Sequence, residues 1–203
     1  MGLTIEHEVV RTLNELRGEW DPNSKYADLI FVHRGEAFPD VGLASKSTNQ
    51  IIFGIELKSW YLLAKEGEPS FRLKADPEAC APADLVMVVP WALSYVIAGT
   101  PEIYGPYVHQ AKYVAEYRNY WWQYGRAAQS NANINRPNPL PKPYPPQRSI
   151  FSDDPVSDSG GNFGRIARIH TKEMMDDYVA SFENLDMIGF ELQAWRKFFK
   201  LGP

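Results

Sequence analysis

Asp40, Glu56 and Lys58 are the three residues whose types and spacing could do chemistry together. Between Ile51 and Trp60 apolar side chains fall on Ile51, Phe53, Ile55 and Leu57, every second position, which is the period of a strand with one buried face. The other face then carries Ile52, Gly54, Glu56, Lys58 and Trp60, so Glu56 and Lys58 point the same way. Lys46-Ser47-Thr48-Asn49-Gln50 reads as a turn, and a hairpin symmetric about Thr48 sets Asp40 opposite Glu56. Directly opposed residues on antiparallel strands have Cβ atoms about 4.5 to 5.5 Å apart, close enough for two carboxylates to share one hard cation. Without a cation they repel, and one tends to hold a proton. A lysine beside them can hold an attacking water or offset charge on a phosphate oxygen. The trio suits metal-assisted hydrolysis of a phosphodiester. The plainer alternative is a surface strand with an ordinary glutamate and lysine on its wet face.

Pro39-Asp40 followed, after fifteen intervening residues, by Glu56-Leu57-Lys58 resembles the PD-(D/E)xK nuclease superfamily, to which many type II restriction endonucleases belong. Glu-x-Lys occurs once in the chain. The resemblance covers residues 39 to 58 in its motif and about residues 3 to 125 in its core. It implies an α/β fold with a restriction-endonuclease-like core, a mixed central sheet flanked by helices. It also implies Mg²⁺, with Mn²⁺ as a substitute, held by Asp40 and Glu56, and Lys58 as the catalytic lysine. Many nucleases of this group use a glutamate on the first helix to help hold the metal. On a helical wheel Glu6 falls between Val10 and Leu13 inside the apolar stripe, where a carboxylate needs a partner, while Glu8 and Glu15 lie on the flank. Glu6 is therefore a third candidate ligand, or else an edge glutamate that reaches solvent near the helix start.

Elements that would position these residues are legible along the chain. Residues 3 to 20 form an amphipathic pattern with Ile5, Val9, Leu13, Leu16 and Trp20 on one face, ended by Asp21-Pro22-Asn23-Ser24. Strands are expected at Leu29 to Arg34, Val41 to Ala44, Ile51 to Trp60 and Asp84 to Pro90, the last an unbroken apolar run suited to a central position. Residues 107 to 125 and 172 to 200 read as helices. Between them lies a long loop, about residues 129 to 163, rich in Asn, Pro, Ser and Asp. No internal repeat or composition break calls for a second domain, so residues 1 to 203 are read as one.

The loop and its flank offer side chains that could read DNA. Arg to guanine and Asn or Gln to adenine are the usual bidentate pairs in the major groove, which makes Arg136, Arg148, Asn162 and Arg165 candidates. Polar loops also contain such residues for solubility. The histidines His7, His33, His109 and His170 show no zinc-like spacing, and Cys80 reads as a small core residue. The Gly160 to Gly164 stretch lacks the Lys-Ser/Thr of a phosphate-binding P-loop.

Length and composition bound the possibilities. The 203 residues suffice for one domain with a real core, and 44% hydrophobic with 23% charged content is ordinary for a globular protein. A formal charge of -4 offers no global attraction for nucleic acid, so affinity would rest on local groups. No signal-peptide pattern or membrane-length apolar run is present, and a single cysteine suits a reducing compartment. The expectation is a cytoplasmic, sequence-specific restriction endonuclease that cuts double-stranded DNA as a homodimer, away from membranes. A structure-specific or repair nuclease and a non-cutting DNA- or protein-binding module on the same fold are the alternatives.

Overall fold

The computed structural model describes residues 1–35, 38–64, 69, 77, 80–120 and 176–200. The chain opens with α1 (Gly2–Glu15), whose Ile5, Val9, Val10 and Leu13 pack inward. Its outer edge carries Arg11, which bridges Glu8 at 2.6 Å and Glu15 at 2.8 Å; both pairs are exposed and screened by solvent. The expected single helix over 3 to 20 is two pieces, because the chain breaks at Leu16 before α2 (Arg17–Trp20).

Asn14 then does what a neighbouring strand would do. Its amide accepts from the Phe31 N–H at 3.0 Å and donates to the Phe31 carbonyl at 2.8 Å, which fastens α1 to the outer edge of β1 (Leu29–His33). Next come β2 (Val41–Ser45), β3 (Ile51–Tyr61) and β4 (Leu85–Leu93), followed by β5 (Pro101–Ile103) and β6 (Tyr107–Gln110). Among the described residues they form one mixed sheet in the order β1-β2-β3-β4-β5, with β6 also on β4. β1, β2 and β3 are antiparallel neighbours, and β3 runs parallel to β4 in the register Ile55↔Leu85 to Tyr61↔Trp91. β4 thus has a strand on each side, as its apolar run requires.

The remaining helices are α3 (Ala111–Tyr120), α4 (Asp176–Ala180) and α5 (Leu192–Lys200). The sequence spacing gave a helix from residue 107; instead Tyr107 to Gln110 pair antiparallel with β4 and the helix starts at Ala111. The expected helix over 172 to 200 is likewise interrupted by a small hairpin, β7 (Asp186–Met187) and β8 (Phe190–Glu191). Ile188 and Gly189 make its turn at φ of 57° and 78°, a left-handed pair that a helix cannot contain.

Two apolar clusters sandwich the sheet. On one face α1 covers Phe31, Val41, Leu43, Ile55 and Leu57. On the other, Ala111 and Val114 of α3, Phe182 and Leu192 pack with Phe38, Trp60, Val86 and Val88. Burying each large aliphatic side chain contributes about 1.5–3 kcal/mol. β3 is therefore covered on both faces, and Gly54, Ile55, Glu56 and Leu57 are all buried. The plainer alternative of a wet face on this strand is not met, because a second layer of helices covers it. The architecture is α/β, a mixed central sheet with helices.

Candidate functional site

The hairpin between β2 and β3 turns through residues 46 to 50, where Asn49 takes a left-handed φ of 58°. Its far end has the register Val41↔Ile55, Gly42↔Gly54 and Leu43↔Phe53, symmetric about residue 48. Nearer the turn a bulge brings Ala44 opposite Ile51. One step beyond Val41↔Ile55, the same register carries Asp40 toward Glu56.

Asp40 is not in a strand. It follows a turn through Phe38 and Pro39, joined by a cis peptide, and Arg34 grips both ends of that turn. The Arg34 N–H donates to the Asp40 carbonyl at 2.8 Å, and its guanidinium donates to the Phe38 carbonyl at 2.7 Å. Pro39 lies directly over Gly54, where a Cβ would fall 1.9 Å from Pro39 Cγ. Asp40 Oδ2 is then reached by the Leu57 N–H at 2.6 Å. That N–H lies past the end of β2, so the aspartate caps a donor that the ladder leaves open.

Glu56 and Lys58 meet as their spacing requires. Lys58 Nζ donates to Glu56 Oε1 at 2.6 Å, with both side chains mostly covered. Burial first, and Glu56 second, push the Asp40 carboxyl up to about 7, against the opposing pull of Lys58 and the Leu57 N–H. Burial draws the Lys58 ammonium down, yet Glu56 and Asp40 outweigh it, and its pKa stands above the ordinary lysine value. The lysine is charged near neutral pH and Asp40 is poised to gain or lose a proton there.

Glu6 has the partner that a carboxylate on an apolar stripe needs: His33 Nε2 lies 2.8 Å from its Oε2. His33 ends β1, pairs with Val41, and its ring lies 4.6 Å from that of His7. Glu6 stands near enough to add a smaller upward push on Asp40. Glu8 and Glu15 are committed to Arg11 on the exposed side of α1. Arg136, Arg148, Asn162 and Arg165 lie outside the described residues, as do the long loop, the Gly160 to Gly164 stretch and His170. Cys80 is fully buried, a core residue as its surroundings suggested.

Asp84 is a positioning residue that the sequence reading treated only as the start of a strand. It is fully buried, and its carboxylate accepts from the Gly54 N–H at 2.8 Å and the Ala81 N–H at 2.7 Å. Asp84 thereby locks the glycine on which Pro39 rests. A charged residue opening an otherwise apolar strand was the available signal, since such a group must find donors once buried.

Among the described residues no three of His, Cys, Asp and Glu gather tightly enough to enclose a metal ion. The pair Asp40 and Glu56 still fits a hard cation of the Mg²⁺ kind, which uses one or two carboxylates and keeps several waters. The fit rests on the two carboxylates' proximity, which adds to burial in raising Asp40, and on one oxygen of each, Asp40 Oδ1 and Glu56 Oε2, that makes no hydrogen bond with the described residues. Among the described residues no helix is long and apolar enough to cross a membrane. No family model, curated protein or solved structure matches the chain.

Proposed function

We propose that the protein is a Mg²⁺-dependent endonuclease of double-stranded DNA, built on a restriction-endonuclease-like core, with Asp40, Glu56 and Lys58 as its catalytic residues. One observation carries this reading. Two carboxylates from adjoining segments, Asp40 half-buried and Glu56 buried, stand beside a charged lysine, and burial first and Glu56 second raise the Asp40 pKa to about 7. Such an arrangement is costly to keep and is relieved by a divalent cation.

Asp40 and Glu56 would hold that cation, while Glu6 stays with His33. When bound, it supplies Lewis-acid polarisation of the phosphoryl group and a water of lowered pKa. The chain's own groups do the rest. Asp40 loses its proton on loading and remains oriented by the Leu57 N–H. Lys58, oriented by Glu56 Oε1, would present its ammonium to the phosphate oxygen or the attacking water. The buried apolar walls of β3 and β4 keep bulk water out and strengthen both interactions.

Sequence-specific restriction is the preferred role, with the base-reading residues drawn from Arg136, Arg148, Asn162 and Arg165, and a homodimer as the assembly. With a net charge of -4, phosphate neutralisation alone would give weak binding, so base contacts must contribute. The test is digestion of mixed duplex DNA with Mg²⁺ or Mn²⁺, then sequencing of the ends. One defined end sequence is expected, with Ca²⁺ supporting binding but no cutting. Asp40→Ala and Glu56→Ala should abolish cutting while the fold survives. Retained cutting in either variant overturns the assignment, random or branch-selective ends point to repair, and binding without products points to a non-cutting module.

A further inference from the structure

Beyond Lys58, β3 runs on to Tyr61 and ends against α5. There a cavity of about 520 Å³ opens, lined by Tyr61, Leu63, Ile97, Arg196, Phe199 and Lys200. Two of these are cations, and no carboxylate lines it among the described residues. We propose that this cavity is a nucleotide subsite, in which a base of the bound DNA lies against Phe199 while its phosphate meets Arg196 and Lys200. The proposal deepens the nuclease reading and rests on it.

Size and charge both support the assignment. Pockets for drug-sized molecules span about 300–1,000 Å³, a range that admits one nucleotide. Arg196 is already oriented: its Nε donates to the Leu62 carbonyl at 2.9 Å and its guanidinium lies 5.9 Å from the Trp60 ring centroid. Yet its buried Nη2 has no hydrogen-bond partner among the described residues. Burial pulls the Arg196 pKa down, only partly offset by Glu183, so the guanidinium gains from an added anion. Phe199 and its neighbour Phe198 are 43% and 65% exposed, large faces for a surface side chain, and the flanking Lys197 and Lys200 complete an aromatic and basic surface. Interleaved rings and cations are what sequence-tolerant binding of a nucleic-acid strand uses, with bases stacked and phosphates neutralised.

The probe is a short fluorescein-labelled duplex, titrated in Ca²⁺ at several salt concentrations. Phe199→Ala with Lys200→Ala should weaken binding about tenfold or more and lower the salt slope by about one. If that double variant melts early, Lys200→Glu at an exposed position serves instead, with the same expectation. Unchanged affinity and slope, in a protein whose wild type still cuts duplex in Mg²⁺, overturn the subsite and leave the nuclease reading standing. Weakened binding by the variants, with no cutting by the wild type, retains the nucleic-acid contact and removes the nuclease reading. Wild-type protein that fails to bind the duplex overturns both. Helices with this mix of residues also lie on membranes. Loss of binding to phosphatidylserine vesicles, with duplex affinity unchanged, would assign α5 to a lipid surface and overturn the proposal.

Discussion

Pro39 rests on Gly54 so closely that a single methyl group on the glycine would lie 1.9 Å from Pro39 Cγ. Because Asp40 follows Pro39, the missing side chain at position 54 fixes where the first carboxylate stands. Gly54→Ala is therefore expected to cost about 1–3 kcal/mol through overpacking and to carry Asp40 away from Leu57. The melting temperature should fall and cutting should be lost even though no catalytic group has changed. An alanine variant that melts and cuts like the parent would show that the turn yields without effect.

The raised Asp40 carboxyl makes the metal-free protein sensitive to alkali. Its folded pKa, about 7, lies above the ordinary aspartate value, so the folded state binds more protons than the unfolded one. The stability this adds is fully present below the unfolded pKa and is lost as pH rises through about 7. Thermal melting in EDTA should accordingly show a decline from pH 5 to pH 8. Asp40→Asn should flatten that decline, since asparagine can still accept the Leu57 N–H but has no proton to lose. Mg²⁺ should stabilise most at the alkaline end, where no proton competes for Asp40.

Lys58 holds Glu56 Oε1, beside the free Oε2 that a cation would take. Lys58→Met should abolish cutting while leaving cation affinity at least as tight as in the parent. Without cation the same variant should be less stable, because breaking a buried ion pair strands the other charge at a cost of roughly 3–5 kcal/mol. Calorimetric titration with Mn²⁺ gives the answer; a collapse in affinity would make Lys58 a structural residue.

Asp84→Asn tests the support beneath the site. Two backbone N–H groups point at one buried carboxylate, and an amide can accept only through its oxygen. One donor would be left facing an NH₂ group, at about 1–3 kcal/mol. Denaturant unfolding should register the loss, and cutting should fall in parallel as Gly54 loosens. Full stability in this variant would mean that the two donors find other acceptors.

The hairpin that brings Asp40 toward Glu56 was legible because alternation fixes a strand's faces and a polar run fixes its turn. Three residue pairs about position 48 suffice to carry the register to the candidate site. The rest depends on contacts that no local pattern encodes. The second covered face of β3 comes from helices that follow β4 in the chain, and its parallel partner lies some thirty residues later. Asp84 reaches Gly54 across that same parallel pairing. Tyr107 and His109 alternate with exposed neighbours, but four residues before a helix are too few to separate a strand from a helical turn. The His33 partner of Glu6 is equally non-local, joining α1 to the end of β1.

The antiparallel β2–β3 hairpin also has a bearing on the order in which the protein assembles. Its strands are joined by a short turn, whereas the parallel β3–β4 pairing must first close a much longer crossover. If local closures come first, the nascent chain would bring two like charges together before β4 joins the sheet. A proton or a divalent cation present at that moment removes the repulsion before the rest of the sheet exists to hold the strands. The ion would then act on the rate of folding as well as on the finished protein, and the candidate site would be the place where the fold begins.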